Sequence, residues 1–173
     1  LKSSDIVNER EDPLSPTVRA FLGMGSNLGD SYQLLATAIK GLPAHQAVSG
    51  LYESAPVGGP TQDPYLNLVV EIQTSLDPYE LLSTCQDLER AAERVRTVRW
   101  GPRTLDVDVL LYGELELGDP KLTIPHPRMY ERAFVLYPLA ELAPDLLPMG
   151  WEASVEDQTI QRLGDWSVFE SGT

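Results

Sequence analysis

Three segments decide the fold: Tyr65-Leu66-Asn67-Leu68-Val69-Val70-Glu71-Ile72-Gln73-Thr74, then Asp77-Pro78-Tyr79-Glu80, then Leu105-Asp106-Val107-Asp108-Val109-Leu110-Leu111-Tyr112. The first is apolar through its centre and reads as a buried strand. The second is a helix start: an acidic N-cap, proline at the first helical position, and a glutamate where a capping box needs one. Leu81, Leu82, Cys85, Leu88 and Ala92 then recur at helical spacing. This puts Cys85 on the buried face, as core and not as a nucleophile. The third segment reads as a strand.

Working outward, Val18–Met24 reads as another strand, and Gly25-Ser26-Asn27-Leu28-Gly29 as turn chemistry with a structural role. Asp30 or Ser31 caps a helix to Lys40, which Gly41 closes. Ala47–Ser54 reads as a strand, and the Gly/Pro-rich 55–64 as a long loop. Downstream come an extended piece at Lys121–Ile124 and a helix over Arg128–Leu142 that ends before Pro144. A last helix, capped by Ser154, is expected to run to Leu163, with a closing strand at Trp166–Phe169. Strands and helices are mixed without strict alternation, and short connections permit antiparallel pairing, which argues an α+β fold.

The 173 residues, 42% hydrophobic and 23% charged, make one domain with a sizeable core. Residues 1–16 read as a polar tail and 17–173 as a single domain. Thirteen basic against 26 acidic residues give a net charge of -13, which argues against a nucleic-acid or acidic-membrane surface. The single cysteine excludes an internal disulfide framework and fits a reducing cytosol. No apolar run approaches the roughly 20 residues of a membrane span, and the polar start is no signal peptide. A cytoplasmic monomer is expected.

Basic charge is concentrated. Arg90, Arg94, Arg96, Arg99 and Arg103 fall within fourteen residues, with Glu93 the only acid among them. A helix end often carries cations. These arginines, however, continue past any plausible helix end into Arg99-Trp100-Gly101-Pro102-Arg103. Planar, multidentate arginine in an acidic protein points to a small polyanion. Immediately after, Asp106 and Asp108 lie two apart on a strand and share a face, with Leu110 and Tyr112, opposite Val107, Val109 and Leu111. Adjacent carboxylates repel unless a cation resolves them, and oxygen-only ligands suit Mg²⁺ completed by substrate phosphates. Carboxylates for metal beside arginines for phosphate are the parts of a phosphoryl-transfer site. His126, between Pro125 and Pro127, reads either as a phosphate donor or as a packed turn residue. His45 reads as surface. Tyr65 and Asn67 share a face and suit a flat heterocycle, or simply core packing.

The run Arg94-x-Arg96-x-x-Arg99-Trp100-Gly101-Pro102-Arg103-Thr104-Leu105-Asp106-Val107-Asp108 resembles the signature of the 6-hydroxymethyl-7,8-dihydropterin pyrophosphokinase family. Gly25-Ser26-Asn27-Leu28-Gly29, Tyr65-Leu66-Asn67 and Pro125-His126-Pro127-Arg128-Met129 with Arg132 and Phe134 follow in the family's order. The likeness covers about Val18 to Leu147. It implies a ferredoxin-like α+β sandwich with a central antiparallel sheet flanked by helices. It also implies transfer of the β,γ-pyrophosphoryl group of ATP to the pterin hydroxymethyl oxygen with release of AMP, in folate biosynthesis. On the same resemblance, Asp106 and Asp108 would hold two Mg²⁺ ions, with Asp106 also beside the pterin. Arg94 and Arg103 would reach the triphosphate. Arg96, Arg99 and Trp100 would lie on a closing loop, and Glu89, His126 and Arg132 would sit at the ATP site. Lys121 and Thr123 would flank adenine, with Val109 beneath it. The pterin would lie between Tyr65 and Phe134, with Asn67 on its polar edge and loop contacts from Ser54, Ala55 and Val57. Ser54-Ala55-Pro56 departs from the family's frequent Thr-Pro-Pro, and the C-terminal 25 or so residues match no functional motif. Two other classes stay in view: a sugar-nucleotide transferase using the paired aspartates, and a non-catalytic nucleotide-binding module.

Overall fold

In the computed structural model, residues 16–44, 47–56, 62–94 and 104–170 are described. The strands are β1 (Val18–Ser26), β2 (Ala47–Val48), β3 (Leu51–Ser54), β4 (Tyr65–Thr74), β5 (Asp106–Tyr112), β6 (Leu117–Gly118), β7 (Thr123–Ile124) and β8 (Ile160–Gly164). The helices are α1 (Ser31–Gly41), α2 (Pro78–Arg94), α3 (Ala133–Leu142) and α4 (Trp166–Glu170). One antiparallel sheet runs β5-β1-β4-β3-β8, with β2 also on β4, while β6 and β7 form a separate ribbon.

Local chemistry sets the helix starts. Asp30 accepts from the Gln33 N–H at 3.0 Å and caps α1. Asp77 accepts from the Tyr79 and Glu80 N–H groups at 2.9 Å, and Glu80 accepts from the Asp77 N–H at 2.8 Å. That is the reciprocal capping box the sequence spells.

The sheet separates two cores. On one face Ala20, Leu22, Met24, Leu68, Val70, Val107 and Val109 pack with Leu35 and Ile39 of α1 and Leu81 and Cys85 of α2. Burial pushes the Cys85 thiol up to about 12, so it is an inert packing group. On the other face Phe21, Val69, Leu110 and Leu111 pack against Met129 and against Val135 and Leu139 of α3. Among the described residues no helix is long and apolar enough to cross a membrane.

Five expectations are corrected. Phe21 pairs with Leu111 but Leu22 pairs with Val109, so Leu110 is an extra residue on β5. This bulge reverses the alternation: Leu111 joins Leu110 on the α3 face, and Tyr112 turns to the α1–α2 face, where its hydroxyl donates to the Leu76 carbonyl at 2.9 Å. Gly25 and Ser26 belong to β1, and only Gly29 of the Gly25–Gly29 run has positive φ, 69°. The strand expected over Ala47–Ser54 is interrupted at Ser49-Gly50, where the Ser49 hydroxyl takes the Val69 N–H at 2.9 Å. The helix expected over Arg128–Leu142 is a 3₁₀ turn at Met129–Glu131 and then α3, with Arg132 extended between them. The chain end is inverted: residues 160–164 form β8 and 166–170 form α4. The open edge of β3 supplies hydrogen-bond partners that no local signal in 160–164 records.

Candidate active site

The α3 face of the sheet carries a cavity of about 490 Å³. Its floor follows from register. Gly25 of β1 lies opposite Asn67 of β4 on one side and Asp106 of β5 on the other. Gly23 likewise lies between Val69 and Asp108. Directly opposed residues point to the same face. The two glycines therefore leave a bare strip of backbone between an amide on β4 and two carboxylates on β5, two strand spacings or roughly 10 Å apart. A Cβ added at Gly25 would lie 2.9 Å from the Asn67 side-chain oxygen, so that close approach needs glycine. The buried Asn67 amide donates to the Ser54 hydroxyl at 2.8 Å and to the Tyr65 carbonyl at 3.4 Å. Those donations turn its oxygen toward Gly25.

The walls are Ser54, Ala55 and Tyr65 at the β3–β4 end and Arg128, Arg132 and Phe134 at the start of α3. Asp108 gathers the polar groups. His126 Nε2 and Arg132 Nη1 each lie 3.9 Å from its Oδ2. His126 is placed there by the bulge, because its N–H donates to the Leu110 carbonyl at 2.9 Å. Burial lowers the His126 pKa, Asp108 opposes this, and Arg132 and Arg128 lower it further. The Arg128 N–H donates to His126 Nδ1 at 3.2 Å, so the neutral ring carries its proton on Nε2. It is an uncharged donor aimed at the Asp108 side of the cavity. The Arg132 guanidinium carbon also lies 5.5 Å from the centroid of the Phe134 ring.

Comparison with known proteins shows the family. The family model described as 7,8-dihydro-6-hydroxymethylpterin-pyrophosphokinase matches residues 21–144. The chain belongs to this family. It is 43% identical over 147 residues to the 2-amino-4-hydroxy-6-hydroxymethyldihydropteridine pyrophosphokinase of Bacillus subtilis, covering 82% of this chain and 88% of that one. It is 47% identical over 138 residues to the Pseudomonas aeruginosa protein of the same name, covering 76% and 85%. Among solved structures, the Plasmodium falciparum HPPK-DHPS wild type with pterin and p-hydroxybenzoate aligns with a TM-score of 0.62 at 16% identity. The alignment covers 84% of this chain but only 44% of that longer protein, and the likeness shows the fold alone.

Within this pyrophosphokinase chain, Asp106, Asp108, Arg132, Ser54, Ala55, Tyr65, Asn67 and Phe134 are brought to one cavity. His126 adjoins them through Asp108. Glu89 sits one layer behind: its carboxylate accepts from the Val107 N–H at 2.9 Å and ties α2 to the backbone between the two aspartates. Val109 is 3% exposed and buried on the opposite face. Lys121 and Thr123 are exposed on the ribbon outside the cavity; the Lys121 N–H and the Thr123 hydroxyl donate to the Asp119 carboxylate and carbonyl. Arg94 is the last residue of α2, and Val57, Arg96, Arg99, Trp100 and Arg103 lie outside the described residues.

Some wall residues were not legible as such. Gly23 read as part of a short buried strand and Gly25 as turn chemistry, although their spacing of two was the signal for one strand face. Asp157 and Gln158 also line the cavity, from the C-terminal stretch that matches no motif. For metal, no group of three or more His, Cys, Asp or Glu side chains forms a closed cage among the described residues. Two oxygen donors on one face, at the rim of an open cavity, fit a hard dication that takes its remaining ligands from substrate and water.

Proposed function

We propose that this chain transfers the β,γ-pyrophosphoryl group of ATP to the hydroxymethyl oxygen of 6-hydroxymethyl-7,8-dihydropterin and releases AMP, a step of folate biosynthesis. Family membership supports the reaction. The single observation that carries it is the floor of the cavity: Asn67 on one side of two glycines, Asp106 and Asp108 on the other. A flat pterin fits over the glycine strip, between the Tyr65 and Phe134 rings, with its polar edge on Asn67. Its hydroxymethyl group then points toward Asp106. In this reading residues 17–173 act as one domain. The order β5-β1-β4-β3, with α1 and α2 on one face, supports a ferredoxin-like sandwich to which β8 is added.

The reaction forms a bond between the pterin oxygen and the β-phosphorus and breaks the bond from that phosphorus to the α,β-bridging oxygen, which leaves with AMP. The pterin hydroxyl proton passes to solvent. Asp106 and Asp108 would hold two Mg²⁺ ions, which when bound neutralise phosphate charge and lower the hydroxyl pKa. His126 donates its Nε2–H to a phosphate oxygen on the departing side. Arg132 lies against the phosphates, and Arg94 and Arg103 supply positive charge as the transition state develops. Arg96, Arg99 and Trp100 close over ATP, with Val57 and Ala55 on the pterin side. Glu89 acts through the backbone it holds, and Lys121, Thr123 and the Val109 backbone flank the adenine.

Product identity tests the proposal. With ATP, Mg²⁺ and 6-hydroxymethyl-7,8-dihydropterin, AMP is expected to appear in step with a pyrophosphorylated pterin. ADP would mean an ordinary kinase on this scaffold. ATP binding without turnover would leave a non-catalytic module.

A further inference from the structure

We infer that Gln158 is a positioning residue for the phosphate end of the cavity: its side-chain amide pins the backbone on both sides of Arg132. The Ala133 N–H donates to Gln158 Oε1 at 2.9 Å, and Gln158 Nε2 donates to the Glu131 carbonyl at 2.7 Å. Only one orientation of the amide satisfies both partners, because an N–H needs an acceptor and a carbonyl needs a donor. The pair brackets a single residue, Arg132.

That residue is the N-cap of α3 and makes no capping hydrogen bond with its own side chain. Gln158 supplies the acceptor for the first helical N–H instead, and the Arg132 guanidinium reaches into the cavity beside Asp108 and Phe134. Capping alone would need only the Oε1 contact. The second bond, to the Glu131 carbonyl, lies before the helix and does nothing for it. It fixes the extended residue between the 3₁₀ turn and α3.

The clamp is itself anchored. The Gln158 N–H donates to the Val155 carbonyl at 3.0 Å, Val155 is buried with Ala133 and Leu136, and the Ser154 hydroxyl donates to the Tyr130 carbonyl at 3.3 Å. A stretch with no recognisable motif thus holds an arginine 26 positions earlier in the chain.

The inference rests on ATP occupying the Arg132 side of the cavity, and its test reads affinity separately from turnover. The probe is an ATP analogue with a methylene bridge between the α- and β-phosphorus, titrated calorimetrically into the full chain with Mg²⁺. Gln158→Ala is expected to raise its Kd about tenfold, the scale of one charge-assisted contact. In an Arg132→Ala background the same change is expected to cost less than about twofold, because the two act as a unit. Gln158→Glu keeps the acceptor for the Ala133 N–H but sets a carboxylate against the Glu131 carbonyl. Its Tm should lie above that of Gln158→Ala, because the cap is kept, while its Kd stays raised. A wild-type Kd in Gln158→Ala overturns the inference. So does the full tenfold loss in the Arg132→Ala background, or recovery of Kd together with Tm in Gln158→Glu, the signature of a plain cap. If Gln158→Ala does not fold, Gln158→Met, which keeps the side-chain length and adds no charge, makes the same comparison with and without Arg132→Ala. Wild-type protein that binds the analogue but makes no AMP sinks the proposed reaction and leaves this test standing; wild-type protein that does not bind it overturns both.

Discussion

Gly25→Ala should damage pterin binding while leaving the fold nearly intact. Neither Gly23 nor Gly25 has positive φ, so alanine is allowed by the backbone at both. In a strand interior that exchange is worth roughly 0.5–1 kcal/mol in favour of alanine. The cost lies ahead of the new methyl group. Its carbon would sit 2.9 Å from Asn67 Oδ1, where ordinary contact begins at 3.4 Å, so the amide must retreat by about 0.5 Å. Asn67 is 4% exposed and held by Ser54 at 2.8 Å, so the retreat strains that hydrogen bond, worth about 1 kcal/mol. The gain and the loss nearly cancel in stability. In the cavity they do not cancel, because the displaced amide carries the polar edge that meets the pterin. Misplacing one such contact costs about 1.4 kcal/mol, or tenfold in affinity. Gly23→Ala separates the two causes: its methyl group enters the same strip and meets the Leu110 side chain at 3.4 Å, but leaves Asn67 in place. Steady-state kinetics with varied pterin should therefore show KM up about tenfold for Gly25→Ala and by a clearly smaller factor for Gly23→Ala. Tm for both should stay within a few degrees of wild type, and affinity for the ATP analogue should be unchanged. Equal effects of the two substitutions, or wild-type pterin KM in Gly25→Ala, would refute the reasoning.

Two further outcomes are expected. Asp106→Ala and Asp108→Ala should each lower Mg²⁺-dependent turnover by at least about 10²-fold, measured as AMP release against Mg²⁺ concentration; near-normal turnover in either removes the metal assignment. At the far side of α3, Glu141 accepts hydrogen bonds at 2.6 Å each from the Gly50 N–H, the Tyr52 hydroxyl and Arg162. Burial pushes the Glu141 carboxyl up, but the bonds from Tyr52, Arg162 and Gly50 outweigh it and hold it below its ordinary value of 4.5. Its contribution to stability is then complete above pH 4.5 and is lost as pH falls through the lower folded value. The Tm gap between wild type and Glu141→Gln should be constant from pH 7 to 5 and shrink below about 4.5. A gap that grows on acidification would reverse the sign.

Much of the local structure was legible in the chain. The capping box at Asp77–Glu80, the cap at Asp30 and the shared face of Asp106 and Asp108 each depend on groups within about four residues of one another. Such interactions form wherever the segment lies, so the sequence by itself determined α1, α2, the central strands and the pairing of the two carboxylates. Family resemblance then connected Tyr65, Asn67, His126, Arg132 and Phe134, which spacing alone left open between core packing and ligand contact.

The tertiary structure decided what those groups face. Whether Gly25 is a turn or a cavity floor depends on strand residues that arrive 42 and 81 positions later. The bulge at Leu110, which turns Leu111 and Tyr112 over and frees a carbonyl for His126, is a property of the β1–β5 ladder and not of either strand. Ile160–Gly164 became a strand because the edge of β3 was open to it, and Gln158 reached Arg132 because the turn before it packs Val155 against Ala133 and Leu136. Hydrogen bonds between distant segments form only when the chain has already brought them together, so no window along the sequence carries their signal.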